Sequence, residues 1–322
     1  MHNVTSIGMW LGFSTFLIVA LGIDTFLLGK KHLGPNESIK AALFWTLIWI
    51  SCALIFNIFL WLDLYFTTTN AIANQKALEF FAGYLIEKSL SIDNLFAFYM
   101  VFHQFRIPLA YQQRIFSIGI WSAIVLRLAL ILCGVWLLNK FHWVIYIMGA
   151  FLFFTGIKMF FVVDGEKDLT ESFIIRIIKK FIPITTDMKD ESLFIRKNKI
   201  GYATPLFLAL IFIEISDIIF AFDSIPAIFA ITTDPFIVWT SNIFAILGLR
   251  ALYFLLAGMV YRFHLLKHGI ALILIFVGTK MLIANWIPIS VLWSLSIIMS
   301  ILIVFAALSI MHSRKQKIYA KH

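Results

Sequence analysis

The sequence predicts an all-α fold, a polytopic membrane bundle of about nine transmembrane helices in which helices 3–5 and 6–8 form an inverted repeat. Three observations carry that prediction. Nine apolar runs approach the roughly 20 residues that a bilayer core demands. Only 13% of the residues are charged and 61% are hydrophobic, where a soluble domain carries about a quarter charged residues. The basic residues also fall in alternate loops, as they do when successive helices reverse direction through a membrane.

The runs are 7–28, 41–66, 78–102, 115–138, 143–163, 202–230, 238–261, 269–286 and 288–311. The first has no basic leader and no small-residue cleavage site, so it reads as a retained helix rather than a signal peptide. Lys30, Lys31 and Lys40 follow it, Arg106 and Arg114 follow the third run, and eight Lys or Arg lie within 164–200. Arg262 and Lys267 precede the eighth run, and Arg314, Lys315, Lys317 and Lys321 close the chain. The opposite loops hold only Lys76 and Lys140. This asymmetry predicts an outside N-terminus and a cytoplasmic C-terminus. The net charge of +9 is then a topology signal that also meets anionic lipid heads, and nucleic acid is not an expected partner.

The long basic loop divides the chain into a membrane half at 1–163, a linker at 164–201 and a second membrane half at 202–322. Within the linker, 171–182 sets Ile174, Ile175, Ile177, Ile178 and Phe181 on one helical face and Arg176, Lys179 and Lys180 on the other. That pattern suits a helix lying on the inner membrane surface.

The halves share landmarks. Asp93 is followed by Arg127, Phe141–His142 and Gly156-Ile157-Lys158-Met159; Asp223 is followed by Arg250, Phe263–His264 and Gly278-Thr279-Lys280-Met281. The third and sixth runs start in loops of opposite charge phase, so the repeats (78–163 and 202–286) are inverted. Secondary transporters use that plan, with the site near the midplane on broken helices.

Carboxylates inside membrane runs are costly and point to function. The stretch LIFIEISDIIFAFDSIPAI at 210–228 holds Glu214, Asp217 and Asp223, and LIEKSLSIDNLFAF at 85–98 holds Glu87 and Asp93. In both, an acid stands six residues before an Asp that is followed by a small polar residue, Asn94 or Ser224. Asp217 and Asp223 are about 120° apart on a straight helix, so convergence needs an unwound segment or ligands from both repeats. Pro226 has no N–H for the carbonyl of Phe222 and is expected to supply the break. An oxygen-only set of Glu87, Asp93, Asn94, Glu214, Asp217, Asp223 and Ser224 suits Mg²⁺, Ca²⁺ or Mn²⁺ rather than zinc or copper.

Lys88, Arg127, Lys158, Arg250 and Lys280 are the charge-balancing bases expected within the membrane. A purely structural set of salt bridges is the competing reading, weakened by the cost of taking ions out of water. Asp24, in a segment LGIDTFLL that echoes LSIDNLFA around Asp93, is expected to line an access route. The only cysteines, Cys52 and Cys133, form no CxxC pair and read as packing residues. No HExxH, G-x-S-x-G or G-x-x-x-x-G-K-[ST] occurs, so neither enzymatic chemistry nor ATP hydrolysis is expected, and no cofactor motif is present.

EKSLSIDNLFAF at 87–98, YATPLFL at 202–208 and the segment 214–258 resemble the TerC family of bacterial integral membrane proteins, its Alx-like branch most of all. The resemblance extends from Asp24 to the ninth run, without departure at the acidic positions. It implies export of manganese(II) from the cytoplasm across the inner membrane, with Mn²⁺ as transported ion and not as cofactor. The physics of the site adds proton coupling, because a divalent ion entering a balanced charge set must displace protons or a base. The family's association with tellurite resistance and redox modulation implies a different reading, a membrane stress protein whose buried charges are structural. A further class, an amino-acid exporter, would seat its substrate carboxylate on the arginines.

Overall fold

The computed structural model describes residues 7–28, 35–141, 143–161, 178, 180, 182–185, 192–197, 200–257, 265–287 and 289–319. Among these lie ten helices: α1 (Ile7–Leu28), α2 (Pro35–Thr67), α3 (Asn70–Gln104), α4 (Leu109–Lys140), α5 (Val144–Phe161), α6 (Pro205–Phe229), α7 (Pro235–Ile246), α8 (Leu249–Ala257), α9 (Leu266–Ile283) and α10 (Val291–Tyr319). Two short antiparallel strands, β1 (Phe194–Lys197) and β2 (Ile200–Ala203), precede α6.

Local chemistry sets several helix starts. The Thr69 hydroxyl accepts from the Ile72 N–H at the start of α3. Pro205 and Pro235 occupy the first turns of α6 and α7, where a missing N–H costs nothing. Asp234 caps α7 by accepting from the N–H groups of Phe236 and Ile237 at 3.1 and 3.4 Å, which satisfies donors that the helix cannot. Within the runs, Thr46, Ser89, Ser91, Ser216, Thr240 and Thr279 donate to the carbonyl four residues back. Each hydroxyl thus reaches an acceptor on its own helix, which is how such residues are tolerated in lipid.

Six helical stretches are long and apolar enough to cross a membrane: Lys40–Thr67, Tyr111–Leu138, Val144–Phe161, Pro205–Phe229, Pro235–Leu255 and Val291–Ser309; Ile7–Ile23 and His268–Ile283 are shorter apolar helices. The protein is a polytopic membrane helical bundle. Its 35-residue α3 extends about 52 Å at the ordinary helical rise and carries five of the charges discussed below. Outward faces bear Phe44, Phe59, Val125, Trp136, Phe154, Trp293 and Ile303, all strongly exposed, as a lipid-facing surface requires.

The α7–α8 unit is the most enclosed part of the bundle. Phe236 and Phe244 on α7 pack with Phe13, Phe56 and Phe80 from α1, α2 and α3. On another side, α5 and α9 meet through glycines. A Cβ at Gly156 would stand 2.8 Å from the Ala271 carbonyl oxygen, and one at Gly278 would stand 2.7 Å from the Gly149 carbonyl oxygen. The two contacts are reciprocal: 156 and 278 are the motif glycines, and 149 and 271 each precede a motif glycine by seven residues.

Three expectations need correction. The run 238–261 is not one helix, because the chain breaks at Leu247–Gly248 between α7 and α8. Gly248 adopts φ +82°, open to glycine but strained for other residues, and the Trp49 ring fills the place of a side chain there. Pro226 does not break α6, which continues to Phe229. Standing in the last turn, proline removes a single hydrogen bond that the helix end spares easily. The fold is mostly rather than wholly helical, since β1 and β2 pair as a two-stranded antiparallel sheet. The amphipathic segment 171–182 lies almost wholly outside the described residues.

Candidate functional site

Arg127 stands at the centre of the site. It lies on α4, fully buried, and its guanidinium joins three other helices. Nη1 donates to Glu87 Oε1 on α3 and to Asn242 Oδ1 on α7, the latter at 2.8 Å, and Nη2 donates to Asp217 Oδ1 on α6 at 3.1 Å. Glu87 and Asp217 are the acids that stand six residues before Asp93 and Asp223. One guanidinium thus ties together corresponding positions of the two repeated stretches. A planar fork with five donors suits that task where lysine would not.

The second oxygens of these acids are different. Among the described residues, Glu87 Oε2 and Asp217 Oδ2 are buried with no hydrogen-bond partner, and the same holds for Asn94 Oδ1, Asp223 Oδ1 and Ser224 Oγ. All five belong to residues that the sequence nominates as ligands. An unpaired buried acceptor costs free energy, a charged one more so. Among the described residues, Asn57 Oδ1, Arg127 Nε and Asn242 Nδ2 are likewise buried without a partner, so the pattern marks the five nominated residues without being confined to them.

Other nominated residues are placed separately. Glu214, half-buried on α6, accepts a hydrogen bond from Ser122 Oγ on α4, and Asp223 faces Thr155 on α5. Asp93 and Asp24 lie on α3 and α1, and their side chains fall outside the described residues. Among the described residues, no three His, Cys, Asp or Glu side chains converge on a common point.

The bases also divide. Arg127 pairs with the acids as expected. Lys88 instead donates to the carbonyl oxygens of Ala245 and Leu247. Lys158 is exposed in the last turn of α5. Lys280 is buried on α9 and faces Glu79. Arg250 is buried at the start of α8.

Sequence reasoning missed Asn242, Ser122 and a second buried acid, Glu79 on α3. Glu79 accepts from Gln75 and Lys76 at 2.8 Å each and from Thr232 at 2.6 Å, while Lys76 also reaches Asp234 at 3.6 Å. The signals were present: a Thr240-Ser241-Asn242 run inside an apolar stretch, and an acid eight residues before Glu87.

Comparison with known proteins shows the family. The profile described as "Integral membrane protein TerC family" matches residues 72–317. A protein of Escherichia coli K12 named "Putative membrane-bound redox modulator Alx" is 46% identical over 303 residues, 94% of each chain. Its namesake in Salmonella typhi is 44% identical over the full length of both chains. "Uncharacterized membrane protein STKORF319" of Myxococcus xanthus is 44% identical over 97% of this chain and 95% of its own. No solved structure matches. With most of its length matched by the profile and near-full-length relatives well above 40% identity, the chain belongs to the TerC family of integral membrane proteins.

Proposed function

We propose that this protein exports a hard divalent cation, Mn²⁺ first among the candidates, across the bacterial inner membrane. The observation that carries the reading is the set of five unpartnered buried oxygens on Glu87, Asn94, Asp217, Asp223 and Ser224. Oxygen ligands without thiolate select hard ions, and buried carboxylates are poor hosts for tellurium oxyanions or other anions. In the orientation proposed from loop charge, the N-terminus is outside and the C-terminus cytoplasmic. The reciprocal contacts of Gly156 and Gly278, together with Arg127 binding the matched acids Glu87 and Asp217, support an inverted repeat of α3–α5 and α6–α9.

Arg127 acts in this scheme as a resident counter-charge. It holds one oxygen of each matched acid and leaves the other open. An incoming divalent ion brings two positive charges to acids already neutralised in part, so the guanidinium must withdraw or a proton must leave. Proton antiport follows. The test is Mn²⁺ flux in proteoliposomes under an imposed pH gradient, alongside cellular Mn, Mg, Ca, Fe and Zn content with and without the protein. Export with an inward proton gradient and a selective fall in cellular manganese are expected; flux indifferent to the gradient ends the coupling, and unchanged metal content ends the substrate reading.

A second reading has its own support. The Alx relatives are named as redox modulators, and Arg127 closes a buried ion pair with Glu87 and Asp217, as a structural role would require. In that reading the protein serves membrane stress responses and its charges are scaffold. Its free cysteines are Cys52, half-buried on α2, and Cys133, exposed on α4, and form no dithiol motif, so any redox effect would be indirect. Joint neutralisation separates the readings. Arg127→Met with Glu87→Gln and Asp217→Asn should restore a scaffold, because a buried ion set replaced together is tolerated. It should not restore manganese resistance.

A further inference from the structure

The break between α7 and α8 presents backbone oxygens to a cation, and the chain supplies that cation itself. The last four carbonyls of any helix lack intrahelical donors. Leu247 N–H still bonds Ile243 at 2.9 Å, and the ladder resumes only where Leu252 N–H bonds Gly248. Between those points, the carbonyl oxygens of Ala245 and Leu247 both turn to Lys88 Nζ, at 3.1 and 3.4 Å. The ammonium comes from a different helix, α3, and reaches a helix end whose dipole favours positive charge. The break is built in, because Gly248 holds φ +82° with Trp49 packed where a side chain would stand. Carbonyls at broken membrane helices are the usual ligands for alkali cations in transporters.

We propose that the α7–α8 break is a backbone-carbonyl site for a monovalent cation, kept filled by the Lys88 ammonium. The intact protein therefore needs no Na⁺ or K⁺ there. Lys88 adjoins Glu87, which binds Arg127, so the same turn of α3 grips the carbonyl site and the acid site. The carbonyl site stands whatever the substrate is; its part in transport rests on the export reading above. There it fixes the break while the acids load, and it frees the cycle from any alkali-metal gradient.

The test reads binding rather than transport, so its failure is distinct from failure of the export reading. Thermal unfolding of the purified full-length protein is followed in choline, Li⁺, Na⁺ and K⁺ chlorides at equal ionic strength. The wild type should be indifferent. Lys88→Ala should unfold lower in choline and gain about 2 °C or more, saturably, from one of the alkali cations, the scale of about 1 kcal/mol of ligand stabilisation in a chain this large. Lys88→Met, whose chain fills the space without charge, should not respond. In a Cys52→Ser, Cys133→Ser background, Lys88→Cys should behave as Lys88→Ala and lose its alkali response once an aminoethyl group restores the ammonium. Equal unfolding of the Ala and Cys variants in choline and in every alkali chloride would overturn the proposal. So would failure of both to accumulate in cells, because cytoplasmic K⁺ should fill the site.

Discussion

Helix α3 carries two buried glutamates eight residues apart, about 12 Å along the helix, and they are in opposite states. Glu79 has both oxygens paired: Oε1 accepts from Gln75, and Oε2 accepts from Lys76 and Thr232. The neighbouring Asp234 spends one oxygen capping α7 and turns the other to Lys76. Glu87 has one oxygen on Arg127 and the other on nothing, and Asp217 repeats the pattern. Burial is nearly the same, at 3% exposure for Glu79, 0% for Glu87 and 5% for Asp217. Burial of an acid therefore does not separate the two clusters; satisfaction of its oxygens does. The Glu79 cluster joins the start of α3 to the α6–α7 turn. The Glu87 cluster holds charge that a second positive species could claim.

The largest effect expected from this comparison is that of Arg127→Met. It leaves Glu87 and Asp217 buried without a counter-charge, and loss of one partner from a buried ion pair costs about 3–5 kcal/mol. Unfolding of the metal-free protein should show that loss. Added Mn²⁺ should recover more stability in the variant than in the wild type, because the guanidinium no longer competes. Equal response to Mn²⁺ in both proteins would mean that the open oxygens are not ligands.

Next comes Glu79→Gln. An amide still accepts from Thr232 or Gln75 but surrenders the charge that Lys76 and Lys280 face. Hydrogen bonds to charged groups contribute about 1.5–3 kcal/mol each, and a loss of about 2 kcal/mol in unfolding free energy is expected. Mn²⁺ affinity should not change. A fall in affinity would break the contrast by making the two clusters one functional unit.

The buried ion pairs were partly legible from the chain alone, because a charge in an apolar run stands out against its surroundings. Glu87, Asp217 and Arg127 are buried and joined, while Asn94 and Ser224 are buried. The rest depends on contacts made far along the chain. Pro226 has a strong local signature, yet its effect depends on how much helix follows, and only three residues do. Gly248 has a weak signature, and its break becomes visible only with Trp49 of α2 beside it. Lys88 next to Glu87 suggested a pair, although adjacent residues on a helix point in different directions; its true partners are 157 and 159 residues away. The G-x-K-M motifs mattered through their glycines, which let α5 and α9 approach, while their lysines went to unrelated surroundings. Asn242 is neutral, so it left no charge to notice.

The smallest expected loss of stability is the most informative about function. Asp223 sits one residue before Ser224 on α6, and both carry a buried oxygen without a partner. No ion pair to Asp223 exists among the described residues, in contrast to Asp217, and its neighbour is the neutral Thr155. Replacing it by Asn removes a charge with no ion-pair partner among the described residues while keeping the side chain's volume. An unpartnered buried charge is itself costly, so removing it should not lower stability. An amide oxygen ligates a hard cation more weakly than a carboxylate and has no proton to exchange. Asp223→Asn should therefore abolish Mn²⁺ flux in proteoliposomes while unfolding at or above the wild-type midpoint. Glu79→Gln should do the reverse, losing stability and keeping flux. If Asp223→Asn instead destabilises the protein and leaves flux intact, satisfaction of the carboxylate oxygens is no guide to which acids carry the function, and the charges of the midplane are scaffold.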